Sequence, residues 1–120
     1  LYVLLMARDR VQLWLANDET APRLRLRYAE KRFRVARALA AQNKNTLAIS
    51  TLSKSQIYVL DAARQLKSDN LSPSEENELR ATLDHSLYRL RLFREQYPEL
   101  DTSMLESLRA ETATLLSSLD

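Results

Sequence analysis

Residues 72–97 read SPSEENELRATLDHSLYRLRLFREQY. Ser72 is placed to cap a helix, Pro73 stands in the first turn, where its missing N–H costs nothing, and Glu75 follows three residues after the cap. This is the capping-box arrangement, in which the serine and glutamate side chains each accept a backbone N–H that the helix itself leaves unsatisfied. Leu79, Leu83, Leu87, Leu90 and Phe93 then recur at three- and four-residue intervals and form one apolar face. Tyr97-Pro98 closes the helix, because proline cannot continue the hydrogen-bond ladder.

The same grammar extends in both directions. Upstream, Ser68-Asp69-Asn70 ends a segment whose stripe is Ile49, Leu52, Gln56, Val59, Ala63 and Leu66, with Ile57 and Leu60 beside it. Asn43-Lys44-Asn45 precedes it as a turn, with Asn43 expected in the left-handed conformation and Asn45 expected to cap the following helix. From Pro22 to about Gln42, Leu26, Ala29, Phe33, Ala36 and Ala40 make one seam, and Leu24, Tyr28, Val35 and Leu39 a second. Two seams imply neighbours on two sides, so this helix is predicted to be the centre of the bundle. Asn17 to Pro22 form a break, with Thr20 as cap and Glu19 where the helix dipole favours an anion. Before it, Leu4, Leu5, Val11, Trp14 and Leu15 predict an amphipathic helix over residues 1–16. Downstream, Asp101 to Ser103 are expected to cap a last helix, in which Leu105, Leu108, Thr112, Leu115 and Leu119 recur at heptad spacing. Connections of two to six residues make consecutive helices antiparallel neighbours. The expectation is an all-α, up-and-down antiparallel bundle of about five helices forming a single domain over residues 1–120.

Composition agrees with that reading. The chain of 120 residues is 45% hydrophobic and 28% charged, which suits a folded chain and not a disordered one. It holds no Gly and three Pro, which excludes Gly-rich phosphate loops and disfavours a β fold built on tight turns. With no Cys, disulfide and thiolate chemistry are excluded, although the compartment stays open on that ground. No window reaches 18 consecutive apolar residues, so no membrane span is expected within these residues. Leu1 in place of Met is read as a junction to an upstream segment that could carry a targeting sequence or anchor. Membrane contact is expected only through that segment.

Catalytic and metal-binding patterns are weak. His85 is the single histidine, and Asp84 beside it suggests a general base; adjacent helical residues, however, diverge by about 100°, and no activatable nucleophile accompanies them. Glu75, Glu76 and Glu78 form an acidic cluster that dipole compensation in a first turn accounts for. One histidine cannot supply zinc or di-metal ligand sets. Trp14, Tyr28, Phe33, Tyr58, Tyr88, Phe93 and Tyr97 are spaced as core residues, not as a ligand cage. The expectation is a non-enzymatic protein without a metal, cofactor or small-molecule substrate.

Charge is divided along the chain: +5 over residues 1–43, +2 over 44–70 and −5 over 71–120. Arg23, Arg27, Lys31 and Arg34 fall on one stripe at a spacing suited to phosphates, which gives an alternative reading as a nucleic-acid or anionic-surface binder. A solvated face on an amphipathic helix explains the same stripe, and no established nucleic-acid-binding motif stands beside it. The leading reading is a protein–protein interaction or scaffold domain, including self-association. Its expected contacts are helix-in-groove, through Leu1, Tyr2, Leu5, Leu108, Leu115 and Leu119 on the two terminal helices.

Over the first 40 residues the chain resembles an uncharacterised bacterial family catalogued as domain of unknown function 5667. The residues that carry the likeness are Leu1-Tyr2 at the start, the pair Leu13 and Leu15, a polar turn with an acid and a proline, and Leu24, Leu26, Ala29, Glu30 and Arg32. The likeness continues loosely through Leu52 and Ala62-Ala63, and Pro22 falls slightly later than in the family pattern. The resemblance implies an extracytoplasmic helical domain following a signal peptide or single membrane anchor, with no catalytic residues to carry over. It also implies that Ala29, Glu30 and Arg32 serve packing and ion pairing between the first two helices.

Overall fold

The computed structural model describes residues 21–119, which form four helices and, among the described residues, no strand. Helix α1 spans Ala21–Ala41, α2 Asn45–Ser68, α3 Pro73–Gln96 and α4 Ser103–Ser117. The described part of the chain is thus all-helical. The helix expected over residues 1–16 and the capping role of Thr20 lie outside the described residues. No described helix is long and apolar enough to cross a membrane.

The boundaries follow the local chemistry. At the start of α3 the Ser72 hydroxyl accepts from the Glu75 N–H at 3.2 Å, and the Ser72 N–H donates to Glu75 Oε1 at 3.2 Å. Between α1 and α2, Asn43 adopts φ 60° and takes the place a glycine would usually fill. Its N–H donates to Ala40 O at 3.0 Å and the Lys44 N–H to Leu39 O at 2.9 Å, the paired bonds of a Schellman turn. Asn45 is already the first residue of α2; the cap position is Lys44, with no side-chain capping bond. At α4 the cap position is Thr102, while Asp101 accepts from the N–H and hydroxyl of Ser103 at 3.1 and 2.6 Å.

Among the described helices the one with most neighbours is α2, whereas the sequence predicts the helix beginning at Pro22 for that place. α2 packs against all three other described helices, and ten of its residues are buried. Four of these, Thr51, Ser53, Ser55 and Gln56, are polar, so an apolar count along the sequence understates how enclosed the helix is. Of its predicted stripe Leu52, Gln56, Val59 and Ala63 are buried, Leu60 with them, and Ile49 and Leu66 are half-buried at its ends, whereas Ile57 faces outward. Helix α1 packs along α2 through Ala29, Ala36 and Ala40, whose small side chains allow the two helices to approach closely. Tyr28 and Arg32 are buried on another face of α1.

Two apolar clusters are stacked along the bundle. One joins Ala36 and Ala40 of α1, Ala48 and Leu52 of α2, Leu90 and Phe93 of α3, and Leu105 of α4. The other joins Ala29, Val59, Ala63, Leu79, Leu83 and Leu119. Between them runs a polar layer. Gln56 Nε2 donates to Thr112 Oγ1 at 2.7 Å and approaches Ser86 Oγ at 3.5 Å, while the Ser55 hydroxyl donates to Ala29 O at 2.7 Å. Each bond joins two helices, so the layer fixes their register as well as satisfying buried groups.

Candidate functional site

Both α1 and α3 pack on α2, and they run parallel to each other with little direct backbone contact. The gap between them is a surface groove. On the α1 side the groove is edged by Arg27, Glu30, Arg34 and Arg37, which fall on one face at three- and four-residue steps. On the α3 side Ala81, Thr82, His85, Tyr88, Arg89 and Leu92 do the same one turn at a time. Val59 forms part of the floor at one end, and Phe33 and Phe93 line the other.

One ion pair spans the groove. Arg89 Nη1 donates to Glu30 Oε1 at 2.6 Å, and the guanidinium carbon lies 4.4 Å from the centroid of the Phe33 ring. The Arg89 side chain is only 10% exposed, whereas Glu30 is 52% exposed. This bridge divides the groove into a compartment of about 430 Å³ towards the start of α1 and one of about 370 Å³ towards its end, with His85 bordering both. The latter volume is in the range of small binding clefts. Its rim keeps apolar surface in water, since Tyr88 is 50% and Leu92 42% exposed.

The two ends differ in charge. Near the start of α1, Arg23 and Arg27 are matched by Glu75 and Glu78 of α3. Hydrogen bonds with Ser72 hold the Glu75 carboxyl below its ordinary range, with a smaller contribution from the Arg23 charge. Near the end of α1, Arg34, Arg37 and Arg89 meet a single lining carboxylate, Glu30, which the bridge already engages. That end is cationic and aromatic together.

The residues singled out in the sequence are only partly collected here. Arg23, Arg27 and Arg34 stand along the groove edge, but Lys31 is turned away, its Nζ 5.9 Å from the Tyr28 ring centroid. The row that exists runs 23, 27, 30, 34, 37, with a carboxylate in its middle. Arg37 could have been found by continuing that spacing, whereas Arg89 joins through a tertiary contact that no local pattern announces. Leu1, Tyr2 and Leu5 lie outside the described residues. The α4 seam expected to be open is used by the bundle itself: Leu119 is buried in the second cluster, Leu115 packs against that cluster, and Leu108 is half-buried. Glu30 pairs with Arg89 of α3 and Ala29 packs in the second apolar cluster, while the contact that the resemblance implies with the helix over residues 1–16 lies outside the described residues.

The candidate catalytic groups are not assembled. His85 faces the groove, and Asp84 is an exposed neighbour on another face. Glu75 completes the helix cap, and Glu76 pairs with Arg80 at 3.3 Å. Among the described residues no three His, Cys, Asp or Glu side chains converge as a metal site. No family model, curated protein or solved structure matches this chain.

Proposed function

We propose that this chain is a non-enzymatic helical-bundle interaction domain that holds a helical segment of a partner protein in the α1/α3 groove. The observation that carries the reading is the union of exposed apolar surface at Tyr88 and Leu92 with Arg34 and Arg37 along one cleft. Apolar anchors set into a cleft with a charged rim are what a helix-in-groove contact requires. The likeness of residues 1–40 to domain of unknown function 5667 supports an extracytoplasmic bacterial setting, and the periodicity of residues 1–16 supports a fifth helix in an up-and-down bundle. No cofactor enters the proposal.

The arginine row favours a second reading, an anionic surface or nucleic acid as ligand. Glu30 interrupts that row and Glu78 faces it from α3, so both would oppose phosphates, which tells against it. Fluorescence anisotropy with three labelled probes separates the readings: an acidic amphipathic peptide, a single-stranded oligonucleotide and an anionic vesicle. The peptide is expected to bind saturably, with Leu92→Ala weakening it about tenfold. Binding of oligonucleotide or vesicle that falls steeply with salt and ignores Leu92→Ala would replace the proposal with the second reading. Self-association through Leu1, Tyr2, Leu5 and Leu108 is tested by light scattering, in which a mass fixed at 13.9 kDa across concentrations removes it.

A further inference from the structure

We infer that the groove selects the direction and side-chain spacing of the helix it holds: the partner helix lies antiparallel to α1 and α3, with its acidic residues in its N-terminal half. This rests on the proposed function and adds the chemistry of the partner.

Three observations lead there. First, α1 and α3 are parallel, so both C-terminal ends, at Ala41 and Gln96, fall on the same side of the groove. Their helix dipoles place partial negative charge at that end, which favours the N-terminus of a third helix. Second, that end carries Arg34, Arg37 and Arg89 against the single engaged carboxylate of Glu30. Acidic side chains in the first turns of a docked helix would meet these cations and suit their own helix dipole as well. The opposite end, where Arg23 and Arg27 are offset by Glu75 and Glu78, offers no such excess. A helix lying the other way would set its acidic residues beside those two glutamates. Charge and dipole therefore select the same direction.

Third, the Arg89–Glu30 bridge crosses the groove between the two compartments. A docked helix must pass over it with a small side chain and drop larger ones to either side. Arg27 and Arg34 mark the two compartments seven residues apart, about 10 Å along a helix. The partner is thus a helix with large apolar anchors at i and i+7, a small residue at i+3 or i+4, and acids around the first anchor. The first anchor enters the space between Phe33 and Leu92, the second the space over Val59.

The test uses the full chain and two labelled peptides of identical composition. Both carry Leu anchors seven residues apart with Ala between them; one has its Glu residues before the first anchor and Lys after the second, and the other has that order reversed. The acid-first peptide is expected to bind about tenfold or more tightly. The exposed pair Arg34→Glu and Arg37→Glu should abolish that preference or invert it. A nitroxide on the acid-first peptide's N-terminus should broaden amide signals near Gln96 and not near Ala81. Equal affinities, both reduced by Leu92→Ala, would overturn the directional inference while leaving the groove as the binding site. Tighter binding of the reversed peptide would overturn it likewise, and binding of neither would remove the groove reading with it.

Discussion

The polar belt shows at single residues how this bundle chooses one register. Thr112 Oγ1 accepts from Gln56 Nε2 at 2.7 Å and donates to Leu108 O at 2.8 Å. Thr112→Val keeps the shape but strands a buried amide donor, so it is expected to cost about 1–3 kcal/mol in urea unfolding. Gln56→Leu together with Thr112→Val should cost clearly less than the two single changes added, because both partners are then apolar. Strict additivity would show that the belt does not act as a unit. Arg89 and Glu30 give a second residue-scale contrast. Removing the carboxylate with Glu30→Ala leaves a nearly buried cation, whereas Arg89→Met leaves a half-exposed carboxylate that water can solvate. With that solvent screening, Glu30→Ala is expected to cost about 2 kcal/mol and Arg89→Met about 1 or less. The reverse order would contradict the placement of Arg89 as the enclosed partner. Little of this was legible in the sequence: Gln56 fell on the predicted stripe, but Ser86 and Thr112 lie 30 and 56 residues away from it.

Among the elements, α3 is the most fully specified by local sequence. Both halves of its cap lie within four residues, so reading Ser72 to Glu75 needed no tertiary knowledge. Ser72→Ala is expected to cost about 1 kcal/mol, and Thr102→Ala close to nothing, since Thr102 makes no side-chain cap bond. The acids at these helix starts also set an acid limit. Glu75 is held low by Ser72 hydrogen bonds, Asp101 by Ser103 hydrogen bonds, and Glu106 chiefly by its hydrogen bond from Arg109. Groups lowered in the folded state add stability above their ordinary values of 4.5 for Glu and 3.8 for Asp, and lose it as pH falls through the lower folded values. Unfolding midpoints should therefore hold level from neutral pH to about 4.5 and decline below it. Glu75→Gln should make that decline shallower; an unchanged acid limb would contradict the assignment. Helix α2 was harder to place as the centre, because its enclosed face is built partly from Ser and Thr, which a hydropathy reading assigns to water.

At the scale of the whole molecule, the three other described helices close around α2, while α1 and α3 leave a cleft whose charge is uneven from end to end. The all-helical class was legible in the caps, the absent glycines and the apolar periodicity, and the arginine stripe was visible along α1. The groove itself was not, since it exists only where two helices distant in sequence are held apart by a common neighbour and bridged by Arg89 and Glu30. On the expected α4 seam Leu119 is buried and Leu115 half-buried against the bundle, which was hidden for the same reason, because the sequence marks an apolar face without naming what covers it. The most direct measurement is a 15N-resolved amide titration of the full chain with the acid-first peptide. Shift changes concentrated on Phe33, Arg34, Arg37, Tyr88 and Leu92, fading on α4, are the predicted result; changes centred on α4, or none at saturating peptide, would contradict the groove as the binding surface.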